Sequence, residues 1–183
     1  MKFLLGTKDL LLKSSDVNLT ESLLEYYLRN KAFLEEFEPK RDPSFFTYEG
    51  QYNQLEKEVV DADQKVSFHF YIFKKNDDKK IIGCIGLNNI VWGSFLSCFL
   101  GYKLDGQHIN KGYMTQAVCA VADFAFSDLH LHRIEGNIMP RNQASLRVLE
   151  KCGFVNEGMS KKYLKINDIW EDHVHMVLIN EHM

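Results

Sequence analysis

Apolar positions along this chain switch between clustered or alternating runs and helical spacing. The opening MKFLLGTKDLLLKSSD reads as strand ending at polar residues. In NLTESLLEYYLRNKAFLEEF, Leu19, Leu23, Tyr26, Tyr27 and Leu28 recur at helical spacing, which predicts a helix fading near Asn30. EPKRDPSFFT carries Pro39 and Pro43 and reads as an extended or turning loop. YEGQYNQLEKEVVDAD is a second, more charged helix. KVSFHFYIFKK and IIGCIGLNNIV flank the turn NDDKK as a hairpin, and GSFLSCFLGYKL is a further strand ending at Asp105 and Gly106.

From there strands and helices interleave. Gly112 to Phe126 is a helix with small and apolar residues at Ala117, Val118, Ala120, Val121, Phe124 and Ala125. HRIEGNIM is a short strand, and NQASLRVLEKCGF is a helix stopped by Gly153. SKKYLKI and WEDHVHMVLI close the chain as a strand pair around an Asn-Asp turn. The pattern predicts a mixed α/β fold. No repeat, low-complexity segment or linker divides residues 1–183, so one domain is expected.

Composition narrows the function classes. A chain of 183 residues with 45% hydrophobic and 13% aromatic content can bury one sizeable core. With 22 basic against 25 acidic residues and a net charge of -3, no global field favours nucleic acid or an anionic membrane. Thr7, Lys8 and Asp9 interrupt the apolar start before it reaches the about 7–15 residues of a secretory signal. No run approaches the about 18 apolar residues of a spanning helix. Cys84, Cys98, Cys119 and Cys152 show no paired spacing and are expected as reduced residues of a cytoplasmic protein.

The stretch QHINKGYMTQAV places a polar, basic turn before a helix. It is compatible with a helix start of no ligand consequence or with an anion site. The chemical case for the second is that the first N–H groups of a helix lack internal partners and point forward. Asn110 tolerates a left-handed backbone, Gly112 admits close approach of a ligand, and Lys111 adds positive charge. A nucleotide-binding P-loop is excluded because no Gly-Lys-Ser/Thr follows, and the dinucleotide fingerprint lacks its second and third glycines.

Gln107-x-x-Asn110-x-Gly112 resembles the Gln/Arg-x-x-Gly-x-Gly/Ala motif of the GCN5-related N-acetyltransferase (GNAT) superfamily, and NQASLRVLEKCGF resembles the helix after its fifth strand. NKAFLEEFEPKRD, NNIVWGSFLSCFLGYKL, LHRIEGNIMPRNQAS and YLKINDIWEDHV extend the resemblance to the RimJ/RimL group of ribosomal-protein alanine/serine N-terminal acetyltransferases. Two positions depart from the group. Asn110 replaces the first loop glycine, and the PWEP of these enzymes reads Glu36-Phe37-Glu38-Pro39.

The resemblance implies a mixed, mostly antiparallel sheet splayed between strands 4 and 5 and flanked by helices, with acetyl-CoA as acetyl donor. It places Leu100, Gly101, Tyr102, Lys103 and Leu104 alongside the pantetheine. Gln107, His108, Ile109, Asn110, Lys111, Gly112 and Tyr113 surround the pyrophosphate, and Asn137 and Asn142 join the cofactor site. The implied acceptor is a protein N-terminus, with a ribosomal protein as the candidate the resemblance names, and a small-molecule amine or a non-catalytic acyl-CoA-binding role as alternatives. No nucleic acid or membrane is expected as partner, and the protein is expected as a monomer or homodimer.

Acetyl transfer to an α-amine, with its ordinary pKa of about 7.7–8.0, needs less base assistance than transfer to a lysine at about 10.4. Glu38 is the candidate base or amine-positioning acid. Many relatives carry a tyrosine where Leu149 stands here; the resemblance instead makes Ser145, at the position where the RimJ/RimL group carries a serine, the candidate hydrogen-bond donor to the departing thiolate. His130-x-His132 and His173-x-His175 have metal-ligand spacing, but without supporting ligands no metal is expected.

Overall fold

The computed structural model describes residues 2–182. The opening segment forms two strands, β1 (Leu4–Gly6) and β2 (Leu10–Ser14), rather than one. Thr7 makes the turn between them: its N–H donates to the Leu10 carbonyl, and its hydroxyl accepts from the Leu10 N–H. Then follow α1 (Thr20–Leu34), a 3-10 turn (Pro43–Phe46), α2 (Tyr48–Asp63), β3 (Phe68–Lys74), β4 (Gly83–Val91) and β5 (Ser97–Leu104). The tail is α3 (Tyr113–Ser127), β6 (Arg133–Ile138), α4 (Gln143–Lys151), β7 (Val155–Ile166) and β8 (Ile169–Ile179).

The helix expected to fade near Asn30 continues to Leu34. Asn30 is buried, and its amide donates to the Tyr26 carbonyl one turn back while its side-chain oxygen accepts from Gly106. A polar residue that looked like a stop is thus paid for by a distant loop.

The strands form one eight-stranded sheet in the order β1-β2-β3-β4-β5-β6-β8-β7. All neighbours are antiparallel except β5 and β6. On one face, Phe70, Ile72, Ile85, Leu100 and Ile134 pack against Ala117, Val118, Val121 and Phe124 of α3. On the other, Tyr71 and Phe73 meet Leu23, Tyr26 and Tyr27 of α1 and Leu55 of α2. Both faces of β3 are therefore covered, which explains why SFHFYIF carries large apolar side chains at successive positions. The small residues of α3 let the helix sit close to the sheet, where Phe124 meets Phe68 and Phe70 edge to face.

β5 and β6 pair only through Ser97 with Arg133, Cys98 with Ile134 and Phe99 with Glu135. Beyond these rungs, Leu100–Leu104 remains paired with β4, and Gly136–Ile138 with β8, so the sheet opens between them. This is the expected splay, shifted by one in the strand count because the opening segment is two strands. On β4 a bulge lies beside it, where Asn89 takes a positive φ of 50°. α4 closes the far side of the gap. Its docking on β6 requires Gly136, where a Cβ would lie 2.7 Å from Leu149 Cδ1.

Candidate active site

The turn after β5 is built from its buried acid outward. Asp105 Oδ1 accepts from the Gln107 N–H at 2.9 Å, and Oδ2 accepts from Arg29 Nε at 2.7 Å. Burial raises the Asp105 pKa, but the Gln107 N–H, Arg29 and Asn30 outweigh it and bring the carboxyl down to about 2. The backbone then turns through Asn110 and Gly112, with positive φ of 59° and 74°. This is the left-handed geometry for which Asn and Gly are suited. Lys111 folds back to donate to the Gln107 carbonyl at 2.9 Å.

Gly112 is the N-cap of α3, and among the described residues no side chain caps this helix and no acid occupies its first turn. Its leading N–H groups and positive dipole end are open to an anion. Gln107, Ile109, Asn110, Lys111 and Gly112 are exposed around this end, and Tyr113 is half-buried. His108 differs: it is buried, with Nδ1 3.7 Å from Asp105 Oδ1, and burial lowers its pKa against the opposing pull of Asp105. Arg29, Asn30 and Asp105 fix the loop, yet carried no local signal in the sequence. Arg29 and Asp105 are 76 positions apart.

Across the gap, Asn142 caps α4 by accepting from the Ser145 N–H at 3.1 Å. The Tyr102 hydroxyl donates to the Ser145 carbonyl at 3.0 Å. Ser145 thereby has its backbone held from both sides, while its half-buried hydroxyl has no partner among the described residues. Leu100 faces the α3 core, Gly101 is exposed, and Leu104 is half-buried. On β6, the buried Asn137 Oδ1 has no hydrogen-bond partner among the described residues, an acceptor left over beside the gap.

Glu38 lies on the other face of the sheet. Its Oε1 is 2.5 Å from Lys103 Nζ, and Oε2 is 3.4 Å from an Arg41 nitrogen. Burial alone would lower the Lys103 pKa, but coupling to Tyr27, Cys84 and Glu38 overrides it and holds the ammonium charged. Lys103 also lies over the Tyr27 ring at 5.3 Å. The expected base is thus an ion-paired carboxylate, while Ser145 stands apart on α4. Next to Glu38 the chain ties itself over the sheet: Asn167 of the β7–β8 turn donates to the Glu35 carbonyl, and Arg141 binds Glu171 at 2.9 Å and lies over Phe37.

The remaining sequence candidates separate. Cys98 is buried, and the half-buried Cys119 and Cys152 place their sulfurs 2.9 Å apart between α3 and α4. His173 and His175 do share a face, but among the described residues no cluster of three or more His, Cys, Asp or Glu side chains is arranged for a metal. His175 instead binds Glu135 and Ser160. Among the described residues no helix is long and apolar enough to cross a membrane.

The acetyltransferase (GNAT) domain model matches residues 16–155. The probable N-acetyltransferase YjcK of Bacillus subtilis (strain 168) is 40% identical over 177 residues, 97% of each chain. The ribosomal protein uS5-alanine N-acetyltransferase of Escherichia coli (strain K12) is 38% identical over 152 residues, 83% of this chain and 78% of its own. The crystal structure of the ribosomal-protein-S5-alanine acetyltransferase from Vibrio fischeri superposes with a TM-score of 0.93 at 36% identity, covering 100% of this chain and 98% of the other. Solved chains that share the fold include complexes with coenzyme A and acetyl-CoA. A sheet splayed beside an uncapped helix start thus meets a family match over most of the length: the chain belongs to the GNAT acetyltransferase family and is an N-acetyltransferase, with ribosomal-protein alanine acetyltransferases among its relatives.

Proposed function

We propose that the protein transfers acetyl from acetyl-CoA directly to the α-amine of a protein N-terminus, of the ribosomal-protein alanine or serine type, in the cytoplasm. The observation that carries this reading is the opening between β5 and β6 after the Phe99–Glu135 rung, with the uncapped start of α3 at one end. Residues Gln107 to Tyr113 would hold the pyrophosphate by backbone N–H groups, and the backbone of Leu100 to Leu104 would run beside the pantetheine. The Asn142 side-chain amide and the partnerless Asn137 oxygen would meet the amides of that arm. The donor supplies an activated thioester, and no covalent enzyme intermediate is needed.

Ser145 would donate its free hydroxyl to the sulfur as negative charge develops there, which lowers the barrier without a formal proton transfer. Glu38, held by Lys103 and Arg41, fits a role as a fixed hydrogen-bond acceptor that positions the incoming neutral amine better than one as an unassisted base, because its charge is already compensated. The relatives named for ribosomal protein uS5 alanine favour a protein terminus as acceptor.

The test is mass spectrometry after incubation with acetyl-CoA of peptides beginning with alanine or serine, alongside N-blocked peptides with an internal lysine. Acetylation confined to free N-termini is expected. Acetylation of polyamines or other small amines alone would replace the acceptor class. Tight acetyl-CoA binding without transfer to any amine would leave a non-catalytic acyl-CoA-binding protein.

A further inference from the structure

Three consecutive residues after α1 touch both lips of the open sheet. β5 and β6 run parallel, so the gap that starts after the Phe99–Glu135 rung opens toward the C-terminal ends of both strands. Glu38 reaches the β5 lip, where its carboxylate pairs with Lys103 at 2.5 Å. Glu36 and Phe37 reach the β6 lip instead. There Arg141, just past the end of β6, lies 3.6 Å from Glu36 and 2.9 Å from Glu171 of β8, with its guanidinium carbon 5.6 Å from the centre of the Phe37 ring. Residues 36–38 thus form a strap across the mouth of the gap, on the face away from α3 and α4.

The turn that carries Arg141 is braced. Pro140 and Arg141 are its two central residues, and the Asn142 N–H closes it on the Met139 carbonyl at 2.8 Å, with proline at the position whose φ it pre-sets. The Gln143 side chain adds a bond to the Pro140 carbonyl at 2.8 Å. The backbone under Arg141 is therefore fixed, and only its side chain reaches the strap. On the strap itself, the Phe37 N–H donates to the Leu34 carbonyl at 3.0 Å, and Asn167 holds the Glu35 carbonyl.

The two anchors differ in strength. The side chains of Glu38 and Lys103 are 16% and 19% exposed, so solvent screens their attraction little. Those of Glu36 and Arg141 are 65% and 43% exposed, and pairs so exposed are weak. The strap is thus hinged at β5 and latched at β6 by a contact that opens easily. On the same face of β5 as Lys103, Gly101 is exposed, and a Cβ there would meet only Asn88, at 3.6 Å. That leaves room for main chain to lie on β5 beside the gap.

We propose that Arg141 is a positioning residue for the acceptor: it latches the strap over an N-terminal segment lying at Gly101, while acetyl-CoA occupies the α3 and α4 side. This rests on the amine acetylation proposed above. Arg141 touches neither reactant. It acts through Glu36 and Phe37, so its loss lets the acceptor leave more readily and spares both the chemical step and cofactor affinity.

The experiment measures kcat and acceptor KM, on a peptide the wild type acetylates, for the wild type, Arg141→Gln, Arg141→Lys and Glu36→Gln. Acetyl-CoA dissociation constants are read by calorimetric titration. Loss of one exposed ion-pair cluster and one ring contact predicts a KM higher by ~3–10-fold in Arg141→Gln, with kcat and the acetyl-CoA dissociation constant within ~2-fold of the wild type. Arg141→Lys keeps the charge but not the planar group over Phe37, so its KM should fall between the two. Glu36→Gln alters an exposed side chain and should raise KM in the same direction. Adding it to Arg141→Gln should raise KM no further, because the pair is already broken. A wild-type KM in both Arg141→Gln and Glu36→Gln would overturn this inference alone. So would a loss carried by kcat or by weaker acetyl-CoA binding. A wild type that acetylates no peptide would overturn the parent reading and this one together.

Discussion

The Tyr102 hydroxyl, on β5, donates to the carbonyl of Ser145, in the first turn of α4, and so joins the two sides of the opened sheet at 3.0 Å. Burial pushes the Tyr102 phenol well above its ordinary pKa, even against the lowering effect of its bond to Ser145, so it remains a neutral donor at physiological pH. Tyr102→Phe removes this one bond and leaves the ring packing intact. A loss of about 1 kcal/mol is expected, which for a chain of this size lowers Tm by about 2–4 °C in calorimetry. Unchanged stability would mean that the contact does not brace the gap.

Ser145 offers the complementary experiment. Its hydroxyl has no partner among the described residues, so Ser145→Ala should leave the melting temperature near that of the wild type. Turnover should fall by ~10-fold or more, because a donor aimed at developing charge acts in the transition state. The acetyl-CoA dissociation constant, read by calorimetric titration, should move by less than about 2-fold, since uniform binding is not removed. An unchanged turnover would take Ser145 out of the mechanism.

Gly112 supplies a φ of 74° at the start of α3, with no atom within 4 Å of where a Cβ would lie. The space there is open, so Gly112→Glu should fold, at a backbone cost of about 1–2 kcal/mol for a left-handed non-glycine residue. It also brings a carboxylate to the helix end where the pyrophosphate is proposed to sit. Acetyl-CoA binding should become undetectable by titration calorimetry. Gly112→Asn, which tolerates the same backbone and adds no charge, should retain weakened binding.

Asp105 links the acid side of the stability profile to the same loop. Its folded pKa of about 2 lies below the ordinary 3.8. The carboxylate form therefore stabilises the fold above pH 3.8, and the contribution is lost as pH falls from 3.8 through about 2. Thermal melts across that window should show the loss in the wild type and a flatter profile in Asp105→Asn. The variant should also bind acetyl-CoA more weakly at neutral pH, because a carboxamide keeps one acceptor for the Gln107 N–H but loses the charge and the second oxygen that hold Arg29.

The periodicity of apolar residues determined the order and type of the elements, because alternation and helical spacing are local properties written into successive residues. Glycine and asparagine at positions 110, 112 and 153 likewise marked turns, since positive φ depends on the residue itself; Gly153, with a φ of 85°, ends α4 as expected. The left-handed turn at Asn110 and Gly112 was legible for the same reason.

What only the tertiary structure decided depends on contacts between distant segments. Asn30 ends no helix because Gly106 satisfies it, and Glu38 is ion-paired because β5 brings Lys103 beside it. The His173-x-His175 spacing placed both rings on one face but named no partner for either. The partners of His175, Glu135 at 40 positions away and Ser160 at 15, enter only when β6, β8 and β7 align. Register sets which side chains meet across a sheet, and register is fixed by the packing of the whole sheet against its helices rather than by any one strand.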